Sequence, residues 1–222
     1  NFYRDNDALY GNTLAATDFT GSIDMTHSIF DVYNCPDTTV TPVWVDIEEE
    51  VEVDFTYSAG DLCSITEDVW VSPDGDDYLN TGTSQSSAFR TIKVALELIA
   101  PQDDDPVTIN LTEGTFSPSN TGESFPVVMI SNVNLIGQGE NQTILNPEGT
   151  GQGFNLYNIH NVSITHLSII EGMGFEVGWE YPEFWGGGFS INTSHNIHLS
   201  NIVLHDNFAP MGAGICIIAT TQ

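Results

Sequence analysis

Glu171 and Asp206, one or two coils of a repeat apart, are the carboxylate pair with which this sequence could hydrolyse a glycosidic bond. That reaction needs one carboxyl to protonate the leaving oxygen and a second to act as base or nucleophile. Carboxylates are common here, however: the chain has 31 Asp and Glu against 3 Lys and Arg, a formal net charge of -28, so pairing alone selects nothing. The same count excludes other partners. Nucleic acid and anionic membrane surfaces are bound by clustered Lys or Arg, and only Arg4, Arg90 and Lys93 are present. No base follows Lys93, which argues against lyases that must neutralise or deprotonate an anionic sugar.

Four other groupings could carry chemistry. The segment 171–187 holds Phe175, Trp179, Tyr181, Phe184 and Trp185 beside Glu171, Glu176, Glu180 and Glu183. Aromatic planes next to carboxylates stack on sugar rings, form protein interfaces or pack against their own scaffold, and all three readings stand. Asp74, Asp76 and Asp77 around Gly75, like Asp103 to Asp105, make an oxygen-rich turn that could hold calcium, the one cofactor the sequence suggests. Neither turn has the distant Glu of a 12-residue EF-hand loop, and Asx-turns explain both more simply. His160 and His195 occupy the same repeat position, so a surface ladder explains them better than metal ligation; His166, His198 and His205 follow on the same strands. Cys35 and Cys63 flank a strand-like stretch and could pair in an exported protein, whereas Cys216 among Ile215, Ile217 and Ile218 reads as a buried thiol.

The elements that must position these residues repeat. The run Gly153-Phe154-Asn155-Leu156 through Asn161-Val162-Ser163-Ile164 lies over Gly188-Phe189-Ser190-Ile191 through Asn196-Ile197-His198-Leu199, an offset of 35 (188 minus 153). An earlier copy, Asn132-Val133-Asn134-Leu135-Ile136-Gly137, begins 29 residues before Asn161 (161 minus 132). Apolar residues alternate with polar ones, as in strands with one face buried: Val162, Ile164, then Leu167, Ile169; Ile197, Leu199, then Ile202, Leu204. Short strands separated by Asn or Gly corners at this period predict an all-β, right-handed parallel β-helix, a solenoid in which each coil buries its apolar side by stacking on the next. The insertion 171–187 accounts for most of the difference between the two periods.

A second pattern lies upstream. Val69-Trp70-Val71-Ser72-Pro73-Asp74-Gly75-Asp76-Asp77, Asn80-Thr81-Gly82-Thr83, Ala88-Phe89-Arg90-Thr91-Ile92, Gly114-Thr115-Phe116, Gly122-Glu123-Ser124-Phe125-Pro126 and Val133-Asn134-Leu135-Ile136-Gly137 follow one another in order. This series resembles the N-terminal capping region of a family of bacterial secreted or surface β-helix proteins, whose opening domain is of unknown function. The resemblance covers about residues 69–137 and continues as generic coils. It implies an extracellular or cell-surface location and leaves activity open, because β-helices serve as polysaccharide lyases, glycosidases, adhesins and passive stalks.

Organisation follows. Residues 1–68 read as the closing coils of a preceding β-helix segment, since Phe2 to Gly11 overlays Val203 to Gly212, and residues 69–222 as a capping region with the first coils of a new module. One amphipathic capping helix is expected over 89–100, with Ile92, Ala95, Leu96 and Ile99 inward and Thr91 as N-cap. Strands are expected at 107–111, 127–130, 133–136 and 143–145. No run approaches the 18 apolar residues of a membrane span, and the start at Asn1-Phe2 without methionine suggests processing or a fragment. The expected function is a non-enzymatic structural or adhesive module whose edge at Ile215, Ile217 and Ile218 joins another copy or segment end to end, into a filament or surface layer. The alternative is a carbohydrate-active enzyme, glycoside hydrolase or lyase, or a carbohydrate-binding module on the same scaffold, with polysaccharide as partner.

Overall fold

The computed structural model describes residues 2–3, 14–16, 21–24, 29–30, 43–45, 51–54, 65–77, 79–174 and 186–218. The chain divides into two compact units, Asn1–Ile65 and Thr66–Gln222. Among the described residues it is mostly β, with one short α-helix and one turn of 3-10 helix (Gln85–Ser87), and every pairing between the strands is parallel.

The first unit contains β1 (Phe2–Tyr3), β2 (Leu14–Ala16), β3 (Gly21–Asp24), β4 (Ile29–Phe30), β5 (Val43–Val45) and β6 (Val51–Asp54). Each strand pairs with the third one after it: β1 with β4, β2 with β5, β3 with β6.

The second unit repeats that connectivity at greater length. Its elements are β7 (Val69–Val71), α1 (Ile92–Leu98), β8 (Val107–Leu111), β9 (Gly114–Phe116), β10 (Val127–Val128), β11 (Val133–Ile136), β12 (Thr143–Leu145), β13 (Phe154–Tyr157), β14 (His160–Ile170), β15 (Phe189–Asn192), β16 (His195–His205) and β17 (Ile215–Ile218). The strands form three columns. One runs β7, β8, β11 and the first halves of β14 and β16. A second runs β9, β12 and the second halves of β14 and β16, and the third runs β10, β13, β15, β17.

Alternation in the sequence decides which side chains meet inside. Ile109, Leu135 and Ile164 align and are fully buried, as are Phe116, Leu145 and Ile169 in the second column. In the third, Phe154 stacks on Phe189 with ring centroids 5.0 Å apart and planes 9° from parallel. Each such side chain contributes on the order of 1.5–3 kcal/mol through removal from water. Beside them Gly153 sits under Gly188, where a Cβ would lie 2.6 Å from the Gly188 carbonyl oxygen, so only glycine permits the stacking.

The eleven-residue strands β14 and β16 turn corners at which the register skips one residue on each strand and then resumes. Asn161 and His166 have φ of 55° and 60°, and the residues at the equivalent positions, Asn196 and Asn201, have 53° and 50°. This left-handed conformation is costly for most side chains and least so for Asn, Asp and Gly. It shifts the inward phase from Val162 and Ile164 to Leu167 and Ile169, which accounts for the spacing of three between Ile164 and Leu167.

Three expectations need correction. The helix spans Ile92–Leu98, not 89–100, because Phe89 is held by β7: its N–H donates to the Trp70 carbonyl and its own carbonyl accepts from the Ser72 N–H. At the other end Ile99 is already extended, φ -84° and ψ 149°, two residues before Pro101. The expected strand 127–130 is confined to Val127–Val128, although Met129 N–H still bonds the Asn155 carbonyl. Leu199 aligns with Ile164 as expected but is only half-buried, since no strand lies beyond β16 among the described residues.

Candidate functional site

Glu171 and Asp206 follow directly on the paired residues Ile170 and His205, both in the left-handed conformation with φ of 56°, and both are exposed. Their backbones are thus one strand spacing apart, roughly 4.8 Å. Glu171 Oε2 accepts from Asn146 Nδ2 at 3.2 Å, and Asp206 Oδ2 lies 2.9 Å from His205 Nδ1.

A second surface row begins at Asp103. Its Oδ1 accepts from Asn132 Nδ2 at 2.8 Å and lies 3.2 Å from His160 Nε2. These contacts, the amide first, hold the Asp103 carboxyl below the usual carboxylate range. Asn161 Nδ2 donates to Asn132 Oδ1 at 3.0 Å, and Asn196 Nδ2 to Asn161 Oδ1 at 3.1 Å. Beside this amide ladder His160 and His195 stack, 5.1 Å between centroids and 10° between planes. Among the described residues no three His, Cys, Asp or Glu side chains converge to hold a metal ion.

The acidic turn after β7 is engaged from within. Asp77 Oδ1 accepts from the N–H groups of Arg90 (2.7 Å) and Thr91 (3.1 Å), and Oδ2 from the Thr91 hydroxyl (2.9 Å). Asp76 Oδ1 accepts from Leu79 N–H at 3.0 Å, and Asp74 N–H bonds Ser72 Oγ at 3.3 Å. Gly75 packs so closely that a Cβ would lie 2.2 Å from the Phe89 carbonyl oxygen. The Asp77 carboxylate therefore builds the approach to α1, and that of Asp76 closes the turn before it.

The residue whose role the sequence did not reveal is Glu123. It is buried, and its carboxylate accepts from the N–H groups of Ile92 (2.6 Å), Lys93 (3.2 Å) and Ser124 (3.2 Å). Burial pushes its carboxyl up to about 7; those three donors oppose the shift and the negative charge of Asp77 adds to it. The signal was the acidic residue inside the Gly122-Glu123-Ser124-Phe125-Pro126 motif. By contrast Glu148 is exposed and held below its ordinary value by hydrogen bonds from the Ser119 and Ser117 hydroxyls.

At the far edge, β17 presents Ile215 and Ile217 to solvent, with Ile218 half-buried and the free thiol of Cys216 buried between them. Phe175, Trp179, Tyr181, Phe184 and Trp185, like Cys35 and Cys63, lie outside the described residues.

Among the described residues, fold and surface together define a mostly β chain of parallel sheets with one short α-helix. Residues 74–177 match the model of a family described as Protein of unknown function (DUF1565), a stretch that includes Asp77, α1, Glu123 and the corners through Glu171. A search of curated proteins and a search of solved structures each find no match.

Proposed function

We propose that the chain is a right-handed parallel β-helix with α1 as its cap, serving as an extracellular structural or adhesive module of a bacterial surface. The observation that carries this reading is the connectivity: in three columns, each strand pairs in parallel with its counterpart one repeat later. Parallel crossovers are almost always right-handed. Such a stack grows by adding tiers. Its apolar edge at Ile215 and Ile217 favours a partner strand of like pattern, and open strand edges pair readily. End-to-end joining through heterologous contacts that do not close gives filaments. Sedimentation velocity over a concentration series tests the reading: the wild-type chain associates, and Ile217→Lys stays monomeric. A wild type monomeric at all concentrations would contradict it.

A second reading, carbohydrate hydrolysis, is favoured by the placement of Glu171 and Asp206 one strand spacing apart at equivalent corners. Reducing-sugar release from neutral polysaccharides, abolished in both Glu171→Gln and Asp206→Asn, would establish it. The shortage of bases makes unsaturated products from polygalacturonate or alginate the outcome not expected.

A further inference from the structure

Of the seven large apolar side chains exposed among the described residues, five lie in the last tier of the second unit: Val203, Phe208, Met211, Ile215 and Ile217. Such a concentration on one face marks a contact surface. No strand lies beyond β16 or β17 among the described residues.

The first unit carries the pattern that continues this tier. Val203–Gly212 matches Phe2–Gly11 at an offset of 201 (203 minus 2), with Asp206-Asn207, Ala209 and Gly212 answered by Asp5-Asn6, Ala8 and Gly11. The strands keep that offset although they did not set it. β1 starts at Phe2, the counterpart of Val203 in the second half of β16, and β2 at Leu14, the counterpart of Ile215 where β17 begins (215 minus 14). By phase, then, β1 is a second-column strand and β2 a third-column strand. Tier lengths agree as well: the first unit returns after 27, 29 and 30 residues (29 minus 2, 43 minus 14, 51 minus 21), within the 26 to 35 of the second (133 minus 107, 195 minus 160). Apolar residues answer apolar ones, Phe2 for Val203, Tyr10 for Met211, Leu14 for Ile215 and Ala16 for Ile217; Phe208 alone falls on an acid, Asp7. Asn207 shows how one tier grips the next: its Nδ2 donates to the Ile169 carbonyl at 2.9 Å and its Oδ1 accepts from the Gly172 N–H at 2.8 Å, both in the tier below. Asn6 is the residue at that phase in the first unit.

We propose that the occupant of the β16 and β17 edge is the first unit of a second copy of this chain, joined head to tail, with β1 in parallel register on Val203–Leu204 and β2 on Ile215–Ile217. The proposal rests on the end-to-end reading above and adds which strands meet. An edge that met its own copy would close a two-fold dimer and stop, whereas in this contact each added copy brings a new edge.

Complementation separates the two. Ala16→Lys places a charge in the first unit and keeps the β17 edge; Ile217→Lys does the reverse. In sedimentation velocity at physiological ionic strength, which screens the net charge of -28, each variant alone runs as a monomer. Their equimolar mixture forms one-to-one dimers that grow no further. The Ala16→Lys copy enters that dimer through its second unit, so the result survives a misfolded first unit in that variant. Register is read by disulfide formation in chains that also carry Cys35→Ala, Cys63→Ala and Cys216→Ala. Under mild oxidation Ala16→Cys couples to Ile217→Cys about tenfold faster than either couples to itself, since only in-register neighbours meet disulfide geometry. A mixture that stays monomeric, Ala16→Lys that associates like the wild type, or Ile217→Cys that couples to itself as fast as to Ala16→Cys overturns the proposal and leaves wild-type association standing. A wild type that does not associate removes the end-to-end reading together with it.

Discussion

The two ends of the second unit are made from the same repeat, yet among the described residues one is covered and the other is not. At the α1 end, Val69, Val71, Val107 and Ile109 are fully buried, and the helix packs beside β7 and β10 with Ile92, Ala95 and Leu96 buried. At the opposite end the third column reads Val127, Phe154, Phe189, Ile215, and its exposure runs 2 %, 0 %, 0 %, 40 %. Beside it Leu156, Ile191 and Ile217 run 0 %, 6 %, 69 %. Residue type hardly changes along either row. Along these two rows a side chain is interior where a further strand lies beyond it and exposed where none does, whereas Cys216, on the same edge strand, is buried.

That contrast can be sharpened by substitution. Phe154→Ala, in a covered tier and against Phe189, is expected to cost about 3–5 kcal/mol in chemical denaturation, whereas Ile217→Ala at the edge costs at most about 1 kcal/mol. Similar losses at the two sites would erase the distinction between tiers. Glu123→Ala orphans N–H donors at the capped end and should cost about 2–3 kcal/mol at pH 5.5, with a smaller loss at pH 8.5, where the native carboxylate is itself penalised. Thermal unfolding at both pH values measures this.

Smaller effects are expected along the amide ladder. Asn161 bonds neighbours above and below, so Asn161→Ala should cost about 1–2 kcal/mol, and Asn161→Gly less, since glycine adopts a φ of 55° freely. Asn196, whose ladder bond reaches only Asn161, should lose less on replacement by Ala. Glu171→Gln and Asp206→Asn, both exposed, should shift stability by no more than about 0.5 kcal/mol. A larger change would mean that these corner carboxylates hold the stack together.

How far the sequence discloses this depends on the kind of interaction. The alternation in 107–111 and 133–136, and the overlay of Gly153 on Gly188, locate strands and register because side-chain period and stacking are written residue by residue. The corners were legible as well, through Asn161 and Asn196. Helix limits were not, because Phe89 obeys a helical spacing but is captured by hydrogen bonds to Trp70 and Ser72 from a strand formed earlier in the chain. The purpose of Asp77 and Glu123 was hidden for the same reason. A carboxylate 14 or 31 positions from the amide it accepts from looks, in sequence, like any other acid in a chain that has 31 of them.

The claim that tiers of like pattern continue one another across the β16 and β17 edge is tested most directly by electron microscopy of native material. Fibres are expected, with tiers spaced roughly 4.8 Å along the axis and density that carries the columns past Ile215–Ile218 in parallel register. Monodisperse single particles whose β17 edge is free would contradict the account.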